Sequence, residues 1–166
     1  MIDEISIELL EVTSGGNVTL NAADTNLTVT LDATTNPGLG SLGSITAIGS
    51  TTGGETMTAG GANQKLQSVG GHDTLVGSSS FGDTFLGNAA GFLGDTTKGF
   101  GGSDVIDFSD IAFATVKPLS YTASTGKLVV TDAAHSATLT FSGSYTSASF
   151  SAPANDGHGG TLIKFV

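Results

Sequence analysis

One short phrase recurs through the middle of the chain: an acidic residue, one intervening residue, then an apolar one, with glycine close before it. It reads Glu55-Thr56-Met57, Asp73-Thr74-Leu75, Asp83-Thr84-Phe85 and Asp104-Val105-Ile106, with an irregular member at Asp95-Thr96-Thr97. The acids are spaced by 18, 10, 12 and 9 residues, close to one or two multiples of nine with insertions. No unit this short can bury a core by itself. Stacked on one another, such units line up their apolar residues into a shared interior, so the phrase predicts a stack of turns and short strands.

The remaining sequence agrees with an all-β chain. There are 25 glycines, many threonines and serines, and few strong helix formers. Disorder is disfavoured, because apolar residues recur at regular points and the mean hydropathy is slightly positive, +0.19. With 166 residues the chain is long enough for one domain with a real core. Its net charge of -10, with five lysines and no arginine, leaves nothing from which to build a basic groove, so nucleic acid is not an expected partner. No apolar run approaches the length of a membrane span, so no membrane insertion is expected. Cysteine is absent, which excludes disulfides, thiolate zinc sites and a cysteine nucleophile. The start "MIDEISIELLEV" is acidic and alternating and lacks the basic and apolar regions of a cleaved signal peptide, so any export address is expected elsewhere.

Three zones follow. Residues 1–42 read as solenoid-like strands: Ile5, Ile7 and Leu9 alternate with Ser6 and Glu8, Val18 pairs with Leu20 across Thr19, and "NLTVTL" places Leu27, Val29 and Leu31 on one face. "NPGLG" at 36–40 is a turn. Residues 43–110 carry the glycine-acid repeats. Residues 111–166 return to ordinary strands: "LSYTAST" and "KLVVTD" as a hairpin around Gly126, then "SATLTFSG", "YTSASFSAP" and "GGTLIKFV", with "ANDGHGG" as a turn.

Glycine-rich turns beside carboxylates bring oxygens together, and calcium is the cation that takes six to eight oxygens at flexible geometry. Zinc prefers histidine and cysteine, and magnesium gives up its water reluctantly. Between residues 73 and 110 stand six aspartates and a single lysine, Lys98, a density of charge that bound cations would neutralise. The same turns are also ordinary turn chemistry, since aspartate accepts from its own following backbone and glycine permits positive φ. Four of them in near register, with the apolar residue at the same offset, favour calcium.

"VGGHDTLVG", "FGDTFLG" and "GFGGSDVID" resemble the calcium-binding nonapeptide G-G-x-G-x-D-x-U-x (U apolar) of the repeats-in-toxin (RTX) family. The region from "GFGGSDVIDFSDIAF" to the end resembles the C-terminal part of large alphaproteobacterial proteins exported by type I secretion, whose signal is C-terminal and uncleaved. The resemblance covers about 66–166. It implies an irregular right-handed parallel β-roll or β-helix with a small antiparallel C-terminal β section. It also implies calcium held between turns by Gly70, Gly71, Asp73, Gly82, Asp83, Asp95, Gly99, Gly101, Gly102, Asp104 and Asp107. Asp104 fits the motif, with Gly99, Gly102 and Ile106 in place, and so does Asp73, with Gly71 and Leu75. Gly82 is displaced by one beside Asp83, Asp95 lacks the apolar residue, and Glu55 stands in for aspartate. Asp107 and Asp110 either cap a turn or complete a site.

The expected role is therefore a non-catalytic calcium-binding folding and export module of a secreted, extracellular or surface-attached bacterial protein, with the type I secretion machinery as partner. Two alternatives stay open: a polysaccharide-binding repeat module of a carbohydrate-active enzyme, and a self-associating adhesin or surface-layer component. An enzyme is not expected in this chain. His72, His135 and His158 read as turn residues, no G-x-S-x-G elbow leads into a helix, and "GFGGSD" has no phosphate-binding lysine.

Overall fold

The computed structural model of the chain describes residues 16–19, 28–31, 45–52, 54–78 and 82–166. The expected strand at Ile5–Leu9 and the turn at 36–40 lie outside the described residues. What is described is nearly all β, without an α-helix.

The first nine strands are short: β1 (Gly16–Thr19), β2 (Thr28–Leu31), β3 (Ile45–Ile48), β4 (Thr56–Ala59), β5 (Lys65–Gln67), β6 (Thr74–Val76), β7 (Thr84–Gly87), β8 (Thr96–Lys98) and β9 (Val105–Phe108). They alternate between two sheets. The odd strands pair in parallel in the order β1, β3, β5, β7, β9, and the even strands in the order β2, β4, β6, β8. Each turn thus carries the chain from one sheet to the other, and each second strand lands beside its predecessor: Thr56 opposes Thr74, and Thr74 opposes Thr96.

Period-two alternation decides which residues go inside. In the odd sheet Ala47, Leu66, Phe85 and Ile106 stand in register and are fully buried. In the even sheet Met57, Leu75 and Thr97 form the facing column, also fully buried. Each such apolar side chain contributes roughly 1.5–3 kcal/mol by leaving water. This is the shared interior that the repeated phrase predicts. Outward positions of the even sheet form a row of hydroxyls, with Thr56, Thr74, Thr96 and Thr140 opposed in turn.

The C-terminal strands extend both sheets. The hairpin expected around Gly126 is present as β10 (Ser120–Thr122) and β11 (Lys127–Thr131), paired antiparallel. The next strand, β12 (Ser136–Ser142), pairs antiparallel with β11 and parallel with β8. β13 (Ala154–Asn155) and β14 (Thr161–Lys164) join the other sheet, β14 running antiparallel to β9. Among the described residues each sheet has seven strands, and neither closes on itself. The strand expected over "YTSASFSAP" is replaced by a 3-10 turn, Ser147–Ser149, followed by a single bridge from Phe150 to Phe165. The reason is local: Thr146 and Ser149 form a reciprocal capping box, so serine hydroxyls compete for backbone groups that a strand would need.

Aromatic side chains fill the join between the repeats and this C-terminal section. Phe100 packs edge-on to Phe85, Phe141 and Phe165 and stacks on Phe150, and Tyr145 donates its hydroxyl to the Phe100 carbonyl at 3.0 Å. Asp132 ties the β11–β12 turn, accepting from the N–H groups of Ala112, Ala134 and His135. Those bonds stabilise its charged form and hold its carboxyl well below the usual range.

Candidate functional site

The alternation of strands sorts the turns onto two opposite edges of the stack. Turns 49–55, 68–73 and 88–95 lead from the odd sheet to the even one and end on Glu55, Asp73 and Asp95. Turns 60–64, 77–83 and 99–104 lead back and end on Gln64, Asp83 and Asp104. One residue of this set immediately precedes every strand from β4 to β9. All six are buried, between 0% and 2% exposed.

On both edges the carboxylates reach back along the stack. Asp73 Oδ1 accepts the N–H groups of Gly54 and Glu55 at 3.2 and 3.1 Å, and Asp95 Oδ1 accepts that of Asp73 at 2.8 Å. Across the stack, Asp83 Oδ1 accepts from Gln64 N–H at 3.0 Å, and Asp104 Oδ1 from Gly82 and Asp83 at 3.2 and 2.9 Å. Each of these four aspartates therefore serves the main chain of the turn before it on its edge, whereas Glu55 accepts from Ser50 within its own turn. Asp110 extends the pattern, accepting from Ala89 at 2.8 Å.

The second oxygens distinguish the edges. Asp83 Oδ2 accepts from the N–H and the hydroxyl of Ser78, both at 2.8 Å, and Asp104 Oδ2 accepts from Gly101 N–H at 2.9 Å. Asp73 Oδ2 and Asp95 Oδ2 are buried without a hydrogen-bond donor. Asp73 meets instead the carboxyl of Glu55, a second acceptor. Burial, and after it this neighbour, push the Asp73 carboxyl up to about 7. Burial likewise pushes Asp95 up to about 6, against the opposing effect of the nearby Ser68 hydroxyl, which itself donates to the Gly91 carbonyl at 2.8 Å. Burial also raises Asp104, partly offset by its bonds to Gly101 and Asp83. Two carboxyl groups in contact away from water need a proton or a cation between them.

Glycines make room for this packing. A Cβ on Gly49 would stand 2.6 Å from Asp73 Oδ2, so the space beside that oxygen exists only because residue 49 has no side chain. On the other edge Gly99, at φ +68°, stacks on Gly77, and a Cβ there would lie 2.6 Å from the Gly77 carbonyl oxygen.

The residues singled out in the sequence thus fall into three places. Gly70, Gly71, Asp73 and Asp95 share the first edge with Glu55; Gly82, Asp83, Gly99, Gly101, Gly102 and Asp104 share the second. Asp107 belongs to neither, because it projects outward from β9, where the charges around it are those of Asp156, Lys65 and His158. Its Oδ1 is buried without a partner. Gln64 is a member of the repeat that the search for acids passes over; it divides the 18-residue gap between Glu55 and Asp73 into two steps of nine. Spacing alone could have found it. His72, His135 and His158 are all exposed and outside strands. Among the described residues, no three histidine or acidic side chains converge as a ready metal cluster, and no helix is long and apolar enough to cross a membrane.

Comparison with family models, with curated proteins and with solved structures finds no match to this chain.

Proposed function

We propose that this chain is a non-catalytic, calcium-binding folding and export module of a secreted or surface-attached bacterial protein. In this reading its middle winds as an irregular right-handed parallel β-roll. Two features support the winding: strands that alternate strictly between two sheets, and nonapeptide motifs resembling those of the RTX family.

The observation that carries the calcium reading is the Glu55–Asp73 contact. It joins two buried carboxyl groups, with Asp73 Oδ2 unserved by any donor. The donor set is all oxygen, which suits calcium. Calcium bound there would replace the proton that the pair otherwise requires and would bring oxygens of successive turns together. Where calcium is scarce, repulsion among the acids and the chain entropy of so many glycines oppose folding. Outside the cell, sites with dissociation constants of roughly 10⁻⁴–10⁻³ M fill, and binding energy becomes folding energy. A chain that folds only on the far side of the type I secretion machinery is also hindered from sliding back.

The test is a calcium titration of the whole chain followed by calorimetry and circular dichroism. Saturable binding with a raised melting temperature, reversed by EGTA, is expected. A spectrum and melting temperature indifferent to EGTA would sink the reading.

One observation favours a second reading, in which the module holds an acidic polysaccharide. On a chain of net charge -10, the outward residues of β4, β6, β8, β11 and β12 include no acid; they offer the threonine row together with Lys98 and Lys127. Retention on an alginate column that disappears in a Lys98→Ala, Lys127→Ala double variant would support it; unaltered retention would count against that face.

A further inference from the structure

We infer that a divalent cation is held on one edge of the stack only, that of Glu55, Asp73 and Asp95, and that the opposite edge of Asp83 and Asp104 takes none. The inference rests on the calcium reading above and narrows it to half of the aspartates.

The ground for it is the state of each oxygen. A carboxylate oxygen that already accepts N–H or O–H bonds has the positive ends of those dipoles where a cation would have to sit. Both oxygens of Asp83 are in that condition, through Gln64, Ser78 N–H and the Ser78 hydroxyl. So are both oxygens of Asp104, through Gly82, Asp83 and Gly101. To bind there, a cation would have to displace buried hydrogen bonds to charged acceptors, which are among the strong ones. Among the described residues, the one buried side-chain oxygen on that edge without a partner, Gln64 Oε1, belongs to a neutral amide.

The first edge differs at its two aspartates. Asp73 is 1% exposed and Asp95 0%, and each keeps one oxygen without a donor. Glu55 sets its carboxyl against Asp73, its own two oxygens accepting from the Ser50 hydroxyl at 2.7 Å and the Ser50 N–H at 3.4 Å. Gly49 leaves open the space next to Asp73 Oδ2. Glu55, although it departs from the aspartate motif, brings a second carboxyl charge beside Asp73, and the oxygens left open to a cation are Asp73 Oδ2 and Asp95 Oδ2. The matching residue across the stack, Gln64, brings an uncharged group. Calcium then clasps the turns 49–55, 68–73 and 88–95, while the turns of the other edge are closed by main-chain amides whether calcium is present or not.

The experiment follows side-chain carboxyl ¹³C signals of the intact chain during titration with calcium chloride, alongside calorimetry of variants. Asp73 and Asp95 signals are expected to move with saturation while those of Asp83 and Asp104 stay in place. Asp73→Asn should weaken calcium by about tenfold or more, and Asp104→Asn should leave the affinity within about twofold, since affinity follows the charge of the ligand set. The carboxyl spectrum needs no variant, so a substitution that unfolds the chain does not blunt the test. Movement at Asp83 or Asp104 overturns the one-edge inference and leaves the calcium reading standing. No heat and no moving signal overturns both.

Discussion

Asp95 Oδ1 accepts the backbone N–H of Asp73 at 2.8 Å, so a carboxylate in one turn supports the main chain of the turn before it. The bond is buried at both ends. Removing the acceptor would leave the Asp73 N–H unpaired, at a cost of about 1–3 kcal/mol. In EDTA, Asp95→Ala is therefore expected to lose that much stability in urea denaturation. Asp95→Asn keeps an oxygen for the N–H and sheds a buried charge, and should be near neutral. Equal losses in both variants would contradict the bond's role.

The buried carboxyls set a pH dependence. Asp73 and Asp95 are raised in the folded chain to about 7 and about 6, above an unfolded value near 3.9. A raised folded value means the protonated form is favoured by folding; its stabilisation is complete below the unfolded value and is lost as pH climbs through 6 to 7. The calcium-free protein should melt at a lower temperature at pH 8 than at pH 5, and saturating calcium should remove most of that difference. A calcium-free melting temperature that is flat or rising over this interval would refute the assignment. Asp132, held low by three backbone N–H groups, acts in a separate window: its contribution is present above the ordinary carboxylate range and is lost as pH falls through its depressed folded value.

Thr97 occupies an interior position in register with Leu75 and Phe141, fully buried, and its hydroxyl has no partner. Thr97→Val keeps the shape and removes the unpaired group. A gain of about 1 kcal/mol is expected in thermal or urea denaturation. Leu75→Ala in the same column should cost about 2–5 kcal/mol. A destabilised valine variant would mean the hydroxyl is satisfied in solution.

Gly49→Ala places a methyl group against Asp73 Oδ2. It should lower calcium affinity measured by calorimetry while leaving the calcium-free circular dichroism spectrum unchanged. An unaltered affinity would move the cation away from that oxygen.

Much of the architecture was legible because it follows from period. Met57, Leu75, Phe85 and Ile106 are apolar points that only a stack can bury, and they do line its interior. The hairpin around Gly126 carried its own turn chemistry. Other features depended on contacts between distant residues. Nothing in a linear reading tells Asp83 from Asp73; the difference is that Ser78 lies within reach of one and Glu55 of the other. Gln64 was hidden because its role in the repeat is positional and does not require charge. Asp107 looked like one more acid of the series, but strand alternation turns it outward. At 145–153 the alternating pattern competed with capping by Thr146 and Ser149, and the local bonds prevailed.

The carboxylate-to-amide links from one turn of the stack to the turn before share one sense: the acceptor comes later in the chain, the donor earlier. Such a structure is completed from behind. As the chain lengthens from its N-terminal side, its newest turn always holds amides whose partners are not yet present, and each following turn supplies them. Docking of β12 and β14 against β8 and β9 therefore does more than lengthen the sheets. It also ties down the main chain of Asp95 and Asp104, whose carbonyls accept from Thr140 and Phe165, and these are the residues whose carboxylates hold the turns of Asp73 and Asp83.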